Sequence, residues 1–294
     1  MNAPAALQAI LKDAQESFGL TASQIHDARR VGGGCIADAW KISTDAGDFF
    51  LKTHADKGQD MFMREAAGLN ALAGGIRTPE VHAYGSVAGQ EYLLLEWLDL
   101  GRGSEADLGE QLAALHARAQ PAFGFAENNF IGAMPQLNGF DEHWPRFYRE
   151  KRLKPQLKWA KERGLSGKAI TEIETLCTQI EVFFTDYQPK PALIHGDMWG
   201  ANHGFLSDGT PVLFDPATYC ADREAEIAMT ELFGGLAPGF YDAYQAHTPL
   251  DPGYATRKTL YNLYHVLNHF NLFGGGYGQQ AQTMAARLNA AARG

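Results

Sequence analysis

The chain has 294 residues, 45% hydrophobic and 20% charged, enough to bury a large core in one domain or two lobes. Its 34 Asp and Glu outnumber 25 Lys and Arg to give a net charge of −9, which excludes a general nucleic-acid or anionic-membrane binder, because phosphates need a basic field. Three cysteines (Cys35, Cys177 and Cys220) with no CxxC make no disulfide framework. The N-terminus lacks a basic start and no apolar run approaches the ~20 residues of a membrane span, so the expectation is a cytoplasmic protein.

The spacing of Leu7, Ile10, Leu11 and Phe18 predicts a helix over 5–18, stopped by Gly19. The stretch RRVGGGCIADAWKISTDAGDFFLKT reads as strand, glycine loop, strand, turn and strand, ending near Lys52. A helix is expected over Met61 to Leu72, with Phe62, Ala66, Leu69 and Leu72 inward. EYLLLEWLDL then reads as a buried strand. Ser104 is a plausible N-cap for a helix carrying Leu108, Leu112 and Leu115 on one face. The segment from Asp141 to Arg163 is aromatic, basic and partly helical, with Pro145 and Pro155 expected to interrupt it. Ser166 to Tyr187 reads as one amphipathic helix. PALIHGDMWGANHGFLSDGTPVLFD reads as a loop and two short strands joined across Asp208-Gly209, and the remainder as helical. The pattern predicts an α+β, two-lobed fold. A small antiparallel-sheet lobe over 1–97 would bind nucleotide, and a larger mainly helical lobe over 98–294 would hold catalysis and substrate, with a cleft at the boundary.

Phosphoryl transfer from ATP needs a backbone that covers phosphates, a cation fixed near them, hard-oxygen ligands for Mg²⁺ and a carboxylate to take the proton of the attacking hydroxyl. Gly32, Gly33 and Gly34, between two strands, let amides approach phosphate oxygens, although from the residues alone a glycine turn with no ligand is the better reading. Lys52 is either a snorkelling strand end or a phosphate-facing cation, and Glu65, thirteen residues on, is placed to pair with it. Asp197 and Asn202 are five apart in a glycine-bearing loop, and Asp215 follows the strand PVLF. Asn202 and Asp215 offer oxygens to Mg²⁺, which leaves Asp197 to accept a proton. His195 reads as a brace of this loop or as a zinc ligand with His203, for which no third soft ligand stands nearby.

These stretches resemble the fructosamine kinase (ketosamine-3-kinase) family, within the protein-kinase-like fold of aminoglycoside phosphotransferases. VGGGCIADAW is similar to the family's glycine loop, FFLKT and MFMREAAGLNAL to its lysine and glutamate segments, and LIHGDMWGAN and PVLFDPATY to its catalytic segments. DREAEIAMTELFGGL and LYNLYHVLNHFNLFGGGYGQQA carry the family-specific part. The resemblance implies Asp197 as catalytic base, Asn202 and Asp215 on Mg²⁺ and Lys52 on the α- and β-phosphates. Adenine would lie near Glu96 and Leu98. Trp199 would line the sugar pocket, with His195 counted on the same substrate side. The implied reaction is ATP-dependent phosphorylation of a ketosamine 3-hydroxyl, on small ketosamines or glycated proteins, by a monomer or homodimer. The labile 3-phosphate would then leave and restore the amine, a deglycation repair.

Glu226 stands where the family usually has aspartate, and Ala37-Asp38 where it usually has asparagine. Cys35 is read as a small residue in a tight turn, with a redox link between chains as the alternative. Tyr254, Tyr261, Tyr264, Phe270, Phe273 and Tyr277 read as core, and FGGGYGQ as a turn lining the substrate cleft. Other functional readings are a kinase for another small alcohol or aminoglycoside, a nucleotide-binding pseudokinase and a metal-dependent hydrolase.

Overall fold

The computed structural model describes residues 5–22, 24–32 and 37–293. Gly33, Gly34 and Cys35, and the expectations attached to them, lie outside the described residues. Two compact units emerge: one of residues 1–103 and 204–215, the other of residues 104–203 and 216–294.

In the first unit, α1 (Ala5–Phe18) precedes β1 (Ile25–Arg30), β2 (Asp38–Thr44) and β3 (Gly47–Ala55), then α2 (Met61–Ala73), β4 (Val81–Val87) and β5 (Gln90–Glu96). The five strands form one antiparallel sheet in the order β1-β2-β3-β5-β4. Both faces are covered. Tyr92 and Leu94 of β5 pack with Leu7, Ile10 and Leu11 of α1, whereas Leu93 and Leu95 pack with Phe62, Ala66 and Leu69 of α2. Successive strand residues point to opposite faces, so a strand buried on both sides reads as the unbroken apolar run seen in the sequence. The Tyr92 hydroxyl donates to Asp13 at 2.6 Å and ties α1 to the sheet. β4 escaped the sequence reading, because His82, Gly85 and Ser86 dilute its apolar signal.

The second unit opens with α3 (Glu105–His116), capped as expected by Ser104, whose side chain accepts from the Asp107 amide. A short hairpin, β6 (Asn129–Ile131) and β7 (Met134–Gln136), was not anticipated. The two prolines of the basic segment act differently. Pro145 lies in the first turn of α4 (Trp144–Tyr148), where its missing N–H has no intrahelical partner to lose. Pro155, second in α5 (Lys154–Glu162), follows helical backbone directly, so its missing N–H interrupts the hydrogen-bond ladder there, as expected. A π turn over Arg149–Leu153 joins the two, with the Lys154 amide reaching Arg149 O. α6 (Gly167–Thr178) ends at Gln179 in a 3₁₀ turn, so the single helix expected to Tyr187 is shorter than read.

PALI is a strand, β8 (Pro191–Ile194), not the loop expected. The hairpin of β9 (His203–Phe205) and β10 (Pro211–Leu213) closes across Asp208-Gly209, as the sequence indicates. β11 (Tyr219–Asp222) pairs antiparallel with β8, and α7 (Arg223–Leu232), α8 (Pro238–His247), α9 (Tyr254–Phe273) and α10 (Tyr277–Ala291) follow. Tyr261 and Tyr264 are core residues, as expected, but Phe273 is 58% exposed. α3 and α8 approach closely: a Cβ on Gly109 would lie 2.3 Å from Phe240 O. No helix among the described residues is long and apolar enough to cross a membrane.

Candidate active site

Lys52 lies in the middle of the first unit's sheet, opposite Ala39 of β2 and Leu93 of β5. Its ammonium donates to Glu65 Oε1 of α2 at 2.7 Å and also contacts Asp215 Oδ1. Burial opposes the ammonium, but the carboxylates of Asp215 and Glu65 outweigh it, and the lysine's pKa is raised. Burial likewise raises the Glu65 carboxyl, against the pull of Lys52. The position of α2 is itself fixed. Buried Glu91 of β5 accepts from the amides of Asp60 and Met61 at 2.8 and 3.1 Å, satisfying the helix's first donors. Asp215 has a φ of 59°, a left-handed backbone that a non-glycine residue adopts at a cost and that is concentrated at functional positions. Glu96 ends β5 with its carboxylate on Arg77 and the Glu80 amide, and Leu98 follows two residues on, half-buried. Gly32 is exposed, and a Cβ there would meet nothing within 4 Å.

Asp197 lies in the second unit, on the loop after β8. The loop is held from beneath by Glu226 of α7, whose two carboxylate oxygens accept from the His195 amide at 2.7 Å and the Gly196 amide at 2.8 Å. Burial would raise the Glu226 carboxyl, but the His116 imidazole and the amide donors outweigh it and hold the group below its ordinary value. His116 Nε2 lies 3.3 Å from Glu226, and its Nδ1 is 2.8 Å from the Tyr244 hydroxyl. Gly196 has a φ of 84°, and a Cβ there would sit 2.2 Å from Ala217 O, so no other residue fits this turn without displacing backbone. His195 is fully buried; its Nδ1 accepts from the Asp197 amide at 3.3 Å, and its carbonyl accepts from the Ala217 amide. That is the bracing position anticipated for it. Asn202, also buried, donates from Nδ2 to Asp197 O at 2.8 Å and to Asp197 Oδ2 at 3.3 Å. Asp197 itself is half-buried.

Trp199, two residues beyond Asp197, is 37% exposed and meets Phe233 edge-on, with ring centroids 6.2 Å apart. Phe233 meets His269 at 4.7 Å with the rings tilted by 46°, and His269 meets Phe273 at 5.6 Å and Tyr277 at 5.2 Å. The FGGGYGQ stretch connects α9 to α10, with Gly274 and Gly275 at φ of 67° and 62°. Among the described residues no group of three or more His, Cys, Asp or Glu side chains is arranged to hold a metal. Cys177 and Cys220 are buried, and burial pushes both thiols up to about 11. The sequence pointed to Glu226 only as a departure from a family pattern and gave no sign of His116. The spacing of 110 residues between them carries no local signal.

A sequence profile of the family described as fructosamine kinase matches residues 6–291. The chain is 43% identical over 290 residues to a "probable ketoamine kinase" of Synechocystis sp., covering 97% of each. It is 39% identical to a chloroplastic protein-ribulosamine 3-kinase of Arabidopsis thaliana, over 95% of this chain and 88% of that one. The crystal structure of a candidate fructosamine-3-kinase from Haemophilus somnus superposes with a TM-score of 0.86 at 27% identity, covering 96% of this chain and 97% of that one. An aminoglycoside phosphotransferase shares the fold alone, with a TM-score of 0.63 at 13% identity over 96% and 99% of the two chains. The architecture is thus the two-lobed, kinase-like α+β fold expected from the sequence, and the chain belongs to the fructosamine kinase family.

Proposed function

We propose that the protein is an ATP-dependent ketosamine 3-kinase acting in deglycation. The observation that carries the reading is Lys52, a lysine buried in a sheet and held by Glu65 of α2 and Asp215 beyond β10. A buried cation fixed by two carboxylates suits the positioning of nucleotide phosphates, which is most of what phosphoryl transfer asks of a protein. The choice of acceptor is supported by the kinship with a ribulosamine 3-kinase.

In this reading residues 1–97 form the nucleotide lobe and 98–294 the catalytic and substrate lobe. Lys52 contacts the α- and β-phosphates, Gly32 and the glycines after it cover them, and the chain at Glu96 and Leu98 meets adenine. Asn202 and Asp215 fit a magnesium ion by the chemistry of their donors, a neutral amide oxygen and a carboxylate, both hard. The ion would neutralise charge on the transferred phosphoryl group. Asp197 takes the proton of the 3-hydroxyl as its oxygen attacks the γ-phosphorus, and ADP leaves. Trp199 offers a ring face to the sugar, and Phe233, His269, Phe273 and Tyr277 extend that apolar wall. The setting would be the ATP-supplied cytoplasm.

The test presents ATP and Mg²⁺ with a ribulosamine, a fructosamine, a glycated peptide and an aminoglycoside, and follows ADP together with release of free amine. Turnover with the ketosamines and amine release support the reading. ADP formation confined to the aminoglycoside would transfer the protein to the other acceptor class.

A further inference from the structure

The basic stretch of the sequence has no part in the chemistry above. Residues 146–168 hold nine Lys and Arg against two Glu, a local excess of seven positive charges in a chain whose net charge is −9. One of the nine, Arg152, is fully buried, and the others are not. Four of them, Arg149 on the π turn and Lys154, Lys158 and Lys161 on α5, line a groove of about 490 Å³ within the second unit.

The groove has the composition of a peptide site. Arg149, Lys154, Lys158 and Lys161 form its rim, and Leu157 and Cys177 are buried in its lining. A second depression of about 250 Å³ shares Glu150, Lys154 and Lys158 and adds Leu137, Pro155 and Trp159. Three acids answer the four rim cations: Glu150 pairs with Lys154 at 2.7 Å and with Arg149, Glu181 with Arg149 at 3.7 Å, and Glu174 with Lys161. Among the described residues Lys158, exposed and common to both depressions, carries no ion pair. An apolar floor between partly neutralised cations is the pattern of a recognition surface: charge steers, and the floor supplies desolvated contact.

We propose that this groove docks an acidic polypeptide segment bearing an apolar side chain, and that it selects glycated proteins with acidic surfaces as substrates. The docking proposal rests on the kinase reading only for its second part. Charge complementarity favours such a segment: the remainder of the chain is strongly acidic and repels a partner that is negative over a long span, whereas a short acidic segment meets only the local field. The same reasoning disfavours nucleic acid, whose binding requires several phosphate contacts spread over a basic surface.

The direct test is fluorescence anisotropy of a labelled peptide of alternating Glu and Phe against the full chain. The expected result is binding that weakens with salt and falls about tenfold in Lys158→Glu, which exchanges one attraction for one repulsion. Lys158 has no partner to lose, so this variant folds as the parent does, and circular dichroism confirms it. Binding unchanged by Lys158→Glu overturns the proposal. So does tighter Lys158-dependent binding of a single-stranded RNA of matched charge, which would make the surface a nucleic-acid site. The second measurement compares kcat/KM for free ribulosyl-lysine with that for a ribulosylated acidic carrier protein. The proposal expects Lys158→Glu to lower only the carrier's value, and an equal value for both variants on the carrier contradicts it. Failure of the parent to phosphorylate either substrate would sink the kinase reading, while the anisotropy result would still decide the docking.

Discussion

The Lys52 cluster and the Asp197 loop are held in opposite ways. Lys52 is fixed by charge against charge, from side chains on elements that the sequence already reveals as strand and helix. Asp197 is fixed by backbone: one buried carboxylate gathers two consecutive amides, a glycine makes the turn, and an asparagine accompanies the aspartate. In the proposed kinase the first arrangement would set a cation that must tolerate the arrival and departure of phosphates. The second would set the direction of the proposed base. An ion pair tolerates small displacements, whereas a carboxylate accepting two amides defines position and angle together.

The sharpest break in the loop is Asp197→Asn. It keeps the shape and removes the proton acceptor, so kcat falls at least ~10²-fold while nucleotide affinity is kept. Lys52→Ala is the corresponding break in the cluster. It leaves Glu65 buried without its cation, and the expected outcome is a large fall in kcat/KM for ATP, read by steady-state kinetics at varied ATP. Glu226→Ala comes next. Two buried amides lose their acceptor, at about 1–3 kcal/mol each, so Tm falls and kcat falls with it, although Glu226 touches no substrate. Glu226→Gln retains one acceptor oxygen and should recover part of both. Gly196→Ala separates conformation from hydrogen bonding: the donors remain, but the clash with Ala217 O forces the turn open, and a lower Tm with lower kcat is expected.

The smallest effect is the pH dependence of the brace. The Glu226 carboxyl is depressed in the folded protein below the ordinary value of 4.5. Its contribution to stability is therefore complete above that value and is lost as pH falls through the folded one. The Tm gap between the parent and Glu226→Gln should be widest near neutrality and narrow on acidification below about pH 4.5. A gap that widened with acid would show that the carboxylate is not what holds the loop.

The same comparison explains what the sequence disclosed. α1, the β2–β3 hairpin and α2 were legible because their apolar periods and turn residues are local signals. β4 and the β6–β7 hairpin were not, since short polar strands exist only through their partners. PALI looked like a loop because its partner, β11, lies the Asp197 loop and a hairpin away. At the site, Lys52, Asp197, Asn202 and Asp215 were visible as residue types at telling spacings. Most of their supports were not: Glu91 under α2 and His116 under the loop act through buried hydrogen bonds between distant segments, and Glu226 was visible only through the resemblance. Pro145 shows the converse error, where a residue read as a breaker begins the helix it was expected to interrupt.

The most direct measurement pairs the parent with Asp197→Asn on a ribulosamine, following ADP and free amine while ATP affinity is measured by titration. A kinase whose base stands on the Glu226-held loop loses at least ~10²-fold in both products and binds ATP as before. Turnover by Asp197→Asn close to that of the parent would contradict the account.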